Sequence, residues 1–296
     1  MTGFITLLKS GFTTGNYYKS MNHALLRLND EYTMLHYPYY MNEGESFHTS
    51  QKNLTDYCMS CLPALEGKQV LEVGCGNGLQ AIYILQEYSP AFIMAIDLNP
   101  SNIEIARSQA EKSGLGNIEF KIGDAQNLVE VKDHSVDCVI NIESAFHYPD
   151  KPAFLKEISR VLRPGGCFLI ADILTIPLNR DTLRQFWKRK MHLHHWSKRN
   201  YEIELARTNL HLESFSDITN NTIKGFRGYR NWMRDMKRGD FVGDLLLKLF
   251  YIINVRLNIM LLRKRRLYAV FTGRKTESNE EKKRRHTGFQ EKRYKP

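Results

Sequence analysis

The chain has 296 residues, 42% apolar and 11% aromatic, which suits one large α/β domain with extra segments or two small ones and excludes a largely disordered chain. Its formal charge of +10 is uneven: residues 274–296 hold nine Lys/Arg against four Glu, about half the excess, so 276–296 is expected to be a basic disordered tail. Five cysteines, an odd number in a chain this long, exclude a disulfide-stapled scaffold and fit a reducing compartment.

Residues 1–66 look helical and lack a strand pattern, with "LHYPYYMNEGES" at 35–46 as an aromatic, turn-rich break. "FITLL" is too short for the core of a signal peptide, and a cytoplasmic chain is expected. Cys58 and Cys61 form a lone C-x-x-C in a helix-like run. Zinc would need two further ligands at suitable spacing, so two buried helix cysteines are the expectation.

From Lys68 the rhythm changes to strands alternating with helices. "QVLEVG", "AFIMAIDL", "IEFKIGDA", "VDCVINIE" and "CFLIADIL" read as strands. "LQAIYILQEY", "NPSNIEIARSQAEKSG" and "PAFLKEISRVL" read as helices, the last ending before a turn at "RPGG". Such alternation implies βαβ units and a mostly parallel sheet.

Beyond Leu174 the pattern loosens. Residues 178–208 read as helical, basic and aromatic, and "LHLESFSDIT" (210–219) alternates like a strand. Residues 221–262 read as a long helical insertion before a last strand, "RLYAVFTG" (266–273). Within it, "FVGDLLLKLFYIINVRLNIMLL" (241–262) has the length to span a membrane, but Asp244, Lys248, Asn254, Arg256 and Asn258 interrupt it. Its apolar residues form a stripe, which fits a core or cap helix or one lying on a bilayer, not one crossing it.

The chemistry gathers around "VLEVGCGNGLQ". Gly74, Gly76 and Gly78 follow the first strand, where an open parallel sheet binds its ligand. Asp97 ends the second strand, where an acid can accept ribose hydroxyls, and Asp124 ends the third, where one can accept an adenine amine. Glu72 adds negative charge beside the loop, poor company for a pyrophosphate and good company for an ammonium or a sulfonium. The pocket therefore suits a nucleoside carrying positive charge. Glu72 and the G-x-G-x-G spacing also argue against a dinucleotide-dependent oxidoreductase.

This set resembles the class I S-adenosylmethionine-dependent methyltransferases: "EVGCGNG" at 72–78, Asp97, "GDAQNL" at 123–128, "DCVINIES" at 137–144 and "LRPGG" at 162–166. The resemblance covers about residues 67–175. It implies an α/β, Rossmann-like fold over 67–275 with a mostly parallel seven-stranded sheet, a helical N-terminal lid (1–66) and C-terminal helical insertions at about 178–208 and 221–262. It also implies that Glu72, Gly74, Cys75, Gly76, Gly78, Asp97, Leu98, Asp124, Ala125 and Asn141 hold S-adenosyl-L-methionine.

Within the class, "NIESAFHYPDKPAFLKEISRVLRPGGCFLIADIL" is similar to small-molecule and lipid methyltransferases, above all the phthiotriol/phenolphthiotriol dimycocerosates methyltransferase group, which O-methylates a lipid alcohol. Likeness to sugar-hydroxyl methylating relatives implies His147 as base and Asp172 as its partner. Glu143 could instead steady a cation, as methylation of an alkene carbon in a sterol or isoprenoid would require. His192, His194 and His195 lie in a basic run without a carboxylate, and no metal is expected. The expected acceptor is a lipid or amphiphilic small molecule, with peripheral membrane contact through 241–266 and the basic tail. Nucleic acid is disfavoured as a partner, since "NIES" stands where base-amine methyltransferases carry a Pro-Pro-aromatic clamp.

Overall fold

The computed structural model describes residues 14–176, 193–235 and 242–276. Seven strands form one sheet: β1 (Gln69–Val73), β2 (Phe92–Asp97), β3 (Ile118–Ile122), β4 (Val136–Ile142), β5 (Leu162–Thr175), β6 (Leu210–Asp217) and β7 (Arg266–Lys275). Their spatial order is 3-2-1-4-5-7-6, with β1 to β5 parallel and β7 antiparallel to both of its neighbours. The sheet is apolar on both faces because its strands alternate between two cores: Val70, Cys138 and Ile140 pack into one, Leu71, Val73 and Val139 into the other.

Eight helices accompany the sheet among the described residues: α1 (Thr14–Asn29), α2 (Phe47–Ser60), α3 (Leu79–Tyr88), α4 (Pro100–Lys112), α5 (Lys151–Val161), α6 (Lys198–Leu205), α7 (Thr219–Asp235) and α8 (Val242–Lys264). Their starts are written locally. Asn99 caps α4 by accepting from the Ser101 amide, and Asp150 caps α5 through the Ala153 amide, each with a proline in the first turn.

The turn expected at "RPGG" is part of β5. Val136 pairs with Leu162 and Cys138 with Cys167, so extra residues of β5 bulge out between these pairs and carry the proline and glycines. The helix expected over 178–208 is confined, among the described residues, to α6; residues 193–197 are not helical, and 177–192 lie outside the described residues. The insertion read as 221–262 is two helices, α7 and α8, which pack on each other. The tail expected at 276–296 lies outside the described residues from 277 onward.

The N-terminal helices and this insertion make one layer. Phe47 of α2 stacks on Trp232 of α7 at 4.6 Å between centroids, while Ala24 and Leu25 of α1 share a small core with Met233 and Tyr251. Cys58 is buried in α2, and no group of His, Cys, Asp and Glu among the described residues could hold a metal ion.

Candidate active site

β1 has β2 on one side and β4 on the other, so the loops leaving β1 and β4 part and open a crevice at the carboxyl edge of the sheet. A cavity of about 720 Å³ lies there. Its floor is the loop Gly74–Cys75–Gly76, its sides hold Asp97, Leu98, Asp124 and Ala125, and Tyr18 with Met34 to His36 covers it. Gly74 has φ +77°, and a Cβ there would fall 2.1 Å from Ser144 Oγ. Glycine is what lets the β1 and β4 loops meet.

Glu72 points into the cavity from the end of β1. Its Oε1 accepts from Gln80 Nε2 at 2.6 Å, while Oε2 is buried with no hydrogen-bond partner among the described residues. Burial pushes its carboxyl up to about 8, opposed by the Gln80 bond and reinforced by nearby Asp97. Asp97 Oδ2 accepts from the Gly76 amide at 2.9 Å, and Oδ1 from the Asn99 amide at 2.9 Å and Asn102 Nδ2 at 3.2 Å. Three of its roughly four acceptor positions are thus filled, so it clamps the glycine loop as well as facing the cavity. Burial outweighs these bonds and raises its carboxyl. Asp124 Oδ1 accepts from the Gln126 amide at 2.9 Å, fixing the turn after β3.

Glu143 follows β4 in a left-handed conformation, φ +53°, uncommon for a side-chain-bearing residue and costly unless the surroundings hold it. Its amide donates to Ala171 O at 2.8 Å, and its Oε1 accepts from the Tyr37 amide at 2.5 Å. Burial pushes this carboxyl to about 8, opposed by the Tyr268 hydroxyl and the Tyr37 amide. His147 closes a short 3-10 turn, Ala145–His147, and its Nε2 meets the Tyr18 hydroxyl at 3.1 Å. Burial holds the Tyr18 phenol well above its ordinary pKa, so it keeps its proton and can donate to Nε2 when the imidazole proton sits on Nδ1.

Three residues expected at the cavity do not line it. Asp172 is fully buried, accepting from the Tyr201 hydroxyl at 2.6 Å and the Ile173 amide at 2.8 Å; the Phe146 amide also stabilises its charge. It therefore anchors the turn that carries His147 from beneath, because its side chain faces inward from β5. Asn141 is a buried strut between β1 and β4, its Nδ2 lying 2.8 Å from Val73 O and 2.7 Å from Ser144 Oγ. Gly78 caps α3, and a Cβ there would meet Ala106 and Phe120 rather than a ligand.

Residues 193–197, expected within the helical segment 178–208, instead cross the ends of β4 and β5. The His194 amide donates to Phe146 O at 2.6 Å, the Thr175 amide to Trp196 O at 2.8 Å, and Lys151 Nζ donates to His194 O. His194 thereby lines the cavity, while His195 is held against Ile173 O at 2.6 Å with its imidazole pKa depressed by burial. His192 lies outside the described residues. Sequence reasoning missed Tyr18, His194 and the Met34–His36 cover. Only the aromatic "LHYPYY" stretch hinted at the last.

A buried, unpartnered carboxylate oxygen over a glycine floor fits a cationic group, and S-adenosylmethionine carries both an ammonium and a sulfonium. Strand order, glycine loop and flanking acids together define the class I methyltransferase fold. The family described as "Methyltransferase domain" matches residues 64–224, more than half the chain, and the chain belongs to that family. It is 46% identical over 108 residues to a fatty-acid O-methyltransferase of Mycolicibacterium smegmatis, covering 36% of this chain and 38% of that one. It is 45% identical over 109 residues to the phthiotriol/phenolphthiotriol dimycocerosates methyltransferase of Mycobacterium leprae, covering 37% and 39%. The chain thus spans about two fifths of the length of these relatives. Among solved structures, phosphoethanolamine N-methyltransferase 2 of Haemonchus contortus with S-adenosyl-L-methionine shares the fold at TM-score 0.72 and 15% identity, over 88% of this chain and 57% of that one.

Proposed function

We propose that the chain is an S-adenosylmethionine-dependent O-methyltransferase acting on a hydroxyl of a lipid or amphiphilic small molecule. The observation that carries this reading is the Glu72 oxygen left unpartnered in a glycine-floored cavity whose far side holds His147 and Tyr18. Glu72 and the Gly74–Gly76 backbone would hold the cofactor, with Asp97 and Asp124 at its ribose and adenine. The cofactor supplies an electrophilic methyl group on a sulfonium.

The protein's part is alignment and proton handling. A hydroxyl entering beside Tyr18 reaches His147 Nε2 in place of the phenol, or donates to the phenol oxygen while Tyr18 donates to Nε2. The acceptor proton would then end on the His147 imidazole, leaving the hydroxyl oxygen with the lone pair that methyl transfer requires. Asp172 holds the turn that presents His147. The apolar cover from Met34 and Leu35 suits a hydrocarbon-bearing acceptor. The names of the two curated relatives, which concern fatty-acid and lipid-alcohol methylation, support the same class.

The test incubates purified chain with methyl-labelled cofactor and a lipid extract. Label should enter the organic phase as a methyl ether and vanish in His147→Ala. Label appearing on carbon would instead favour Glu143 as the steward of a carbocation.

A further inference from the structure

Helix α8 is amphipathic in an unusual direction. Tyr251, Val255 and Leu262 are buried on its inner face, as in an ordinary cap helix. On the opposite face Leu245, Leu249, Ile253, Leu257 and Met260 are 67%, 50%, 56%, 42% and 49% exposed. Steps of four residues advance by about 40° around a helix, so these side chains form one continuous ridge along its length. Between 245 and 275 the sequence has no Asp or Glu, while Lys248, Arg256, Arg263, Lys264, Arg265 and Arg266 are all basic. Arg256, Arg263 and Lys264 are exposed beside the ridge. No helix among the described residues is long and apolar enough to cross a membrane.

We propose that this face of α8 docks the protein flat on a bilayer carrying anionic lipid. Apolar side chains flanked by Arg256, Arg263 and Lys264, in a helix whose one acid is Asp244 in its first turn, match the headgroup boundary of such a bilayer in both polarity and charge. A second copy of the chain fits less well, because a two-fold contact would set this basic face against itself. Docking here also brings the cavity close to the bilayer. Asn254 Nδ2 of α8 donates to the Tyr17 hydroxyl of α1 at 3.5 Å, and the next residue, Tyr18, covers the cavity. The inference is independent of the reaction proposed above and can fail without it.

The experiment is co-sedimentation of the full chain with phosphatidylcholine vesicles, with and without phosphatidylglycerol. Binding should require phosphatidylglycerol and weaken as salt rises. Leu249→Glu and Ile253→Glu, both at exposed positions, should each weaken it on the order of tenfold. Arg256→Ser and Lys264→Ser should each cost roughly fivefold. S-adenosylmethionine binding measured in solution should be unchanged in all four variants, showing that they fold. Absence of binding to either vesicle overturns the proposal. So does binding that all four variants retain, which would assign it to another segment. A wild-type dimer by light scattering that Ile253→Glu dissociates, without vesicle binding, overturns it in favour of a second copy.

Discussion

Replacing Glu143 by glutamine should remove one falling slope, about 1.4 kcal/mol per pH unit, from the pH dependence of stability of the ligand-free protein. Burial raises this carboxyl from 4.5 to about 8, so the native state holds a proton that the unfolded chain has released. Native protons then exceed unfolded ones between about pH 4.5 and 8. The stability contributed is complete below the lower value and is lost as pH rises through the upper one. A shift of that size corresponds to about 5 kcal/mol, lost at about 1.4 kcal/mol per pH unit. Glu72, raised to about 8 for the same reason, adds a second slope of similar size. Buried His36, whose imidazole is lowered to about 4, gives an opposing slope below about pH 6.5, so the quantity to read is the difference: wild type should lose stability about 1.4 kcal/mol per pH unit faster than Glu143→Gln. The glutamine carbonyl can still accept from the Tyr37 amide, which keeps the comparison close to isosteric. Urea unfolding at several pH values from 5 to 8 measures both slopes. Parallel curves for the two proteins would refute the assignment of a buried, protonated acid at this position.

Gly78→Ala should cost about 2–5 kcal/mol, combining a left-handed φ of +79° with a Cβ 2.5 Å from that of Ala106, yet leave the cofactor affinity of the folded fraction intact. Gly76→Val should abolish cofactor binding in titration calorimetry, because Gly76 forms the cavity floor, and should also cost stability, because its φ of +56° strains any side chain and a β-branched one most. Tyr18→Phe should lower turnover by roughly 100-fold, the low end of general acid–base contributions, and shift its pH profile with little change in cofactor affinity.

The parts of the site visible in the sequence are those that local chemistry dictates. A strand buried on both faces must be an apolar run, and a position whose Cβ would stand 2.1 Å from Ser144 Oγ must be glycine. Eight of the ten expected cofactor residues line the cavity. What escaped depends on contacts between distant segments. Tyr18 meets His147 across 129 residues, and nothing in α1 distinguishes it from Tyr17. Asp172, implied as the partner of His147, instead pairs with Tyr201, which lies in a later helix that no local pattern ties to it. The 193–197 strap resembled a basic helix because its order comes from its own backbone bonded to Phe146 and Lys151, which leave no mark in side-chain periodicity.

The account depends most on the cavity accepting a cationic nucleoside. Isothermal titration of the purified chain with S-adenosylmethionine and with NAD, in two buffers of different ionisation enthalpy, addresses this directly. S-adenosylmethionine should bind with release of protons from the buried acids below about pH 8, and NAD should not bind. Uptake of NAD with no heat from S-adenosylmethionine would contradict the account.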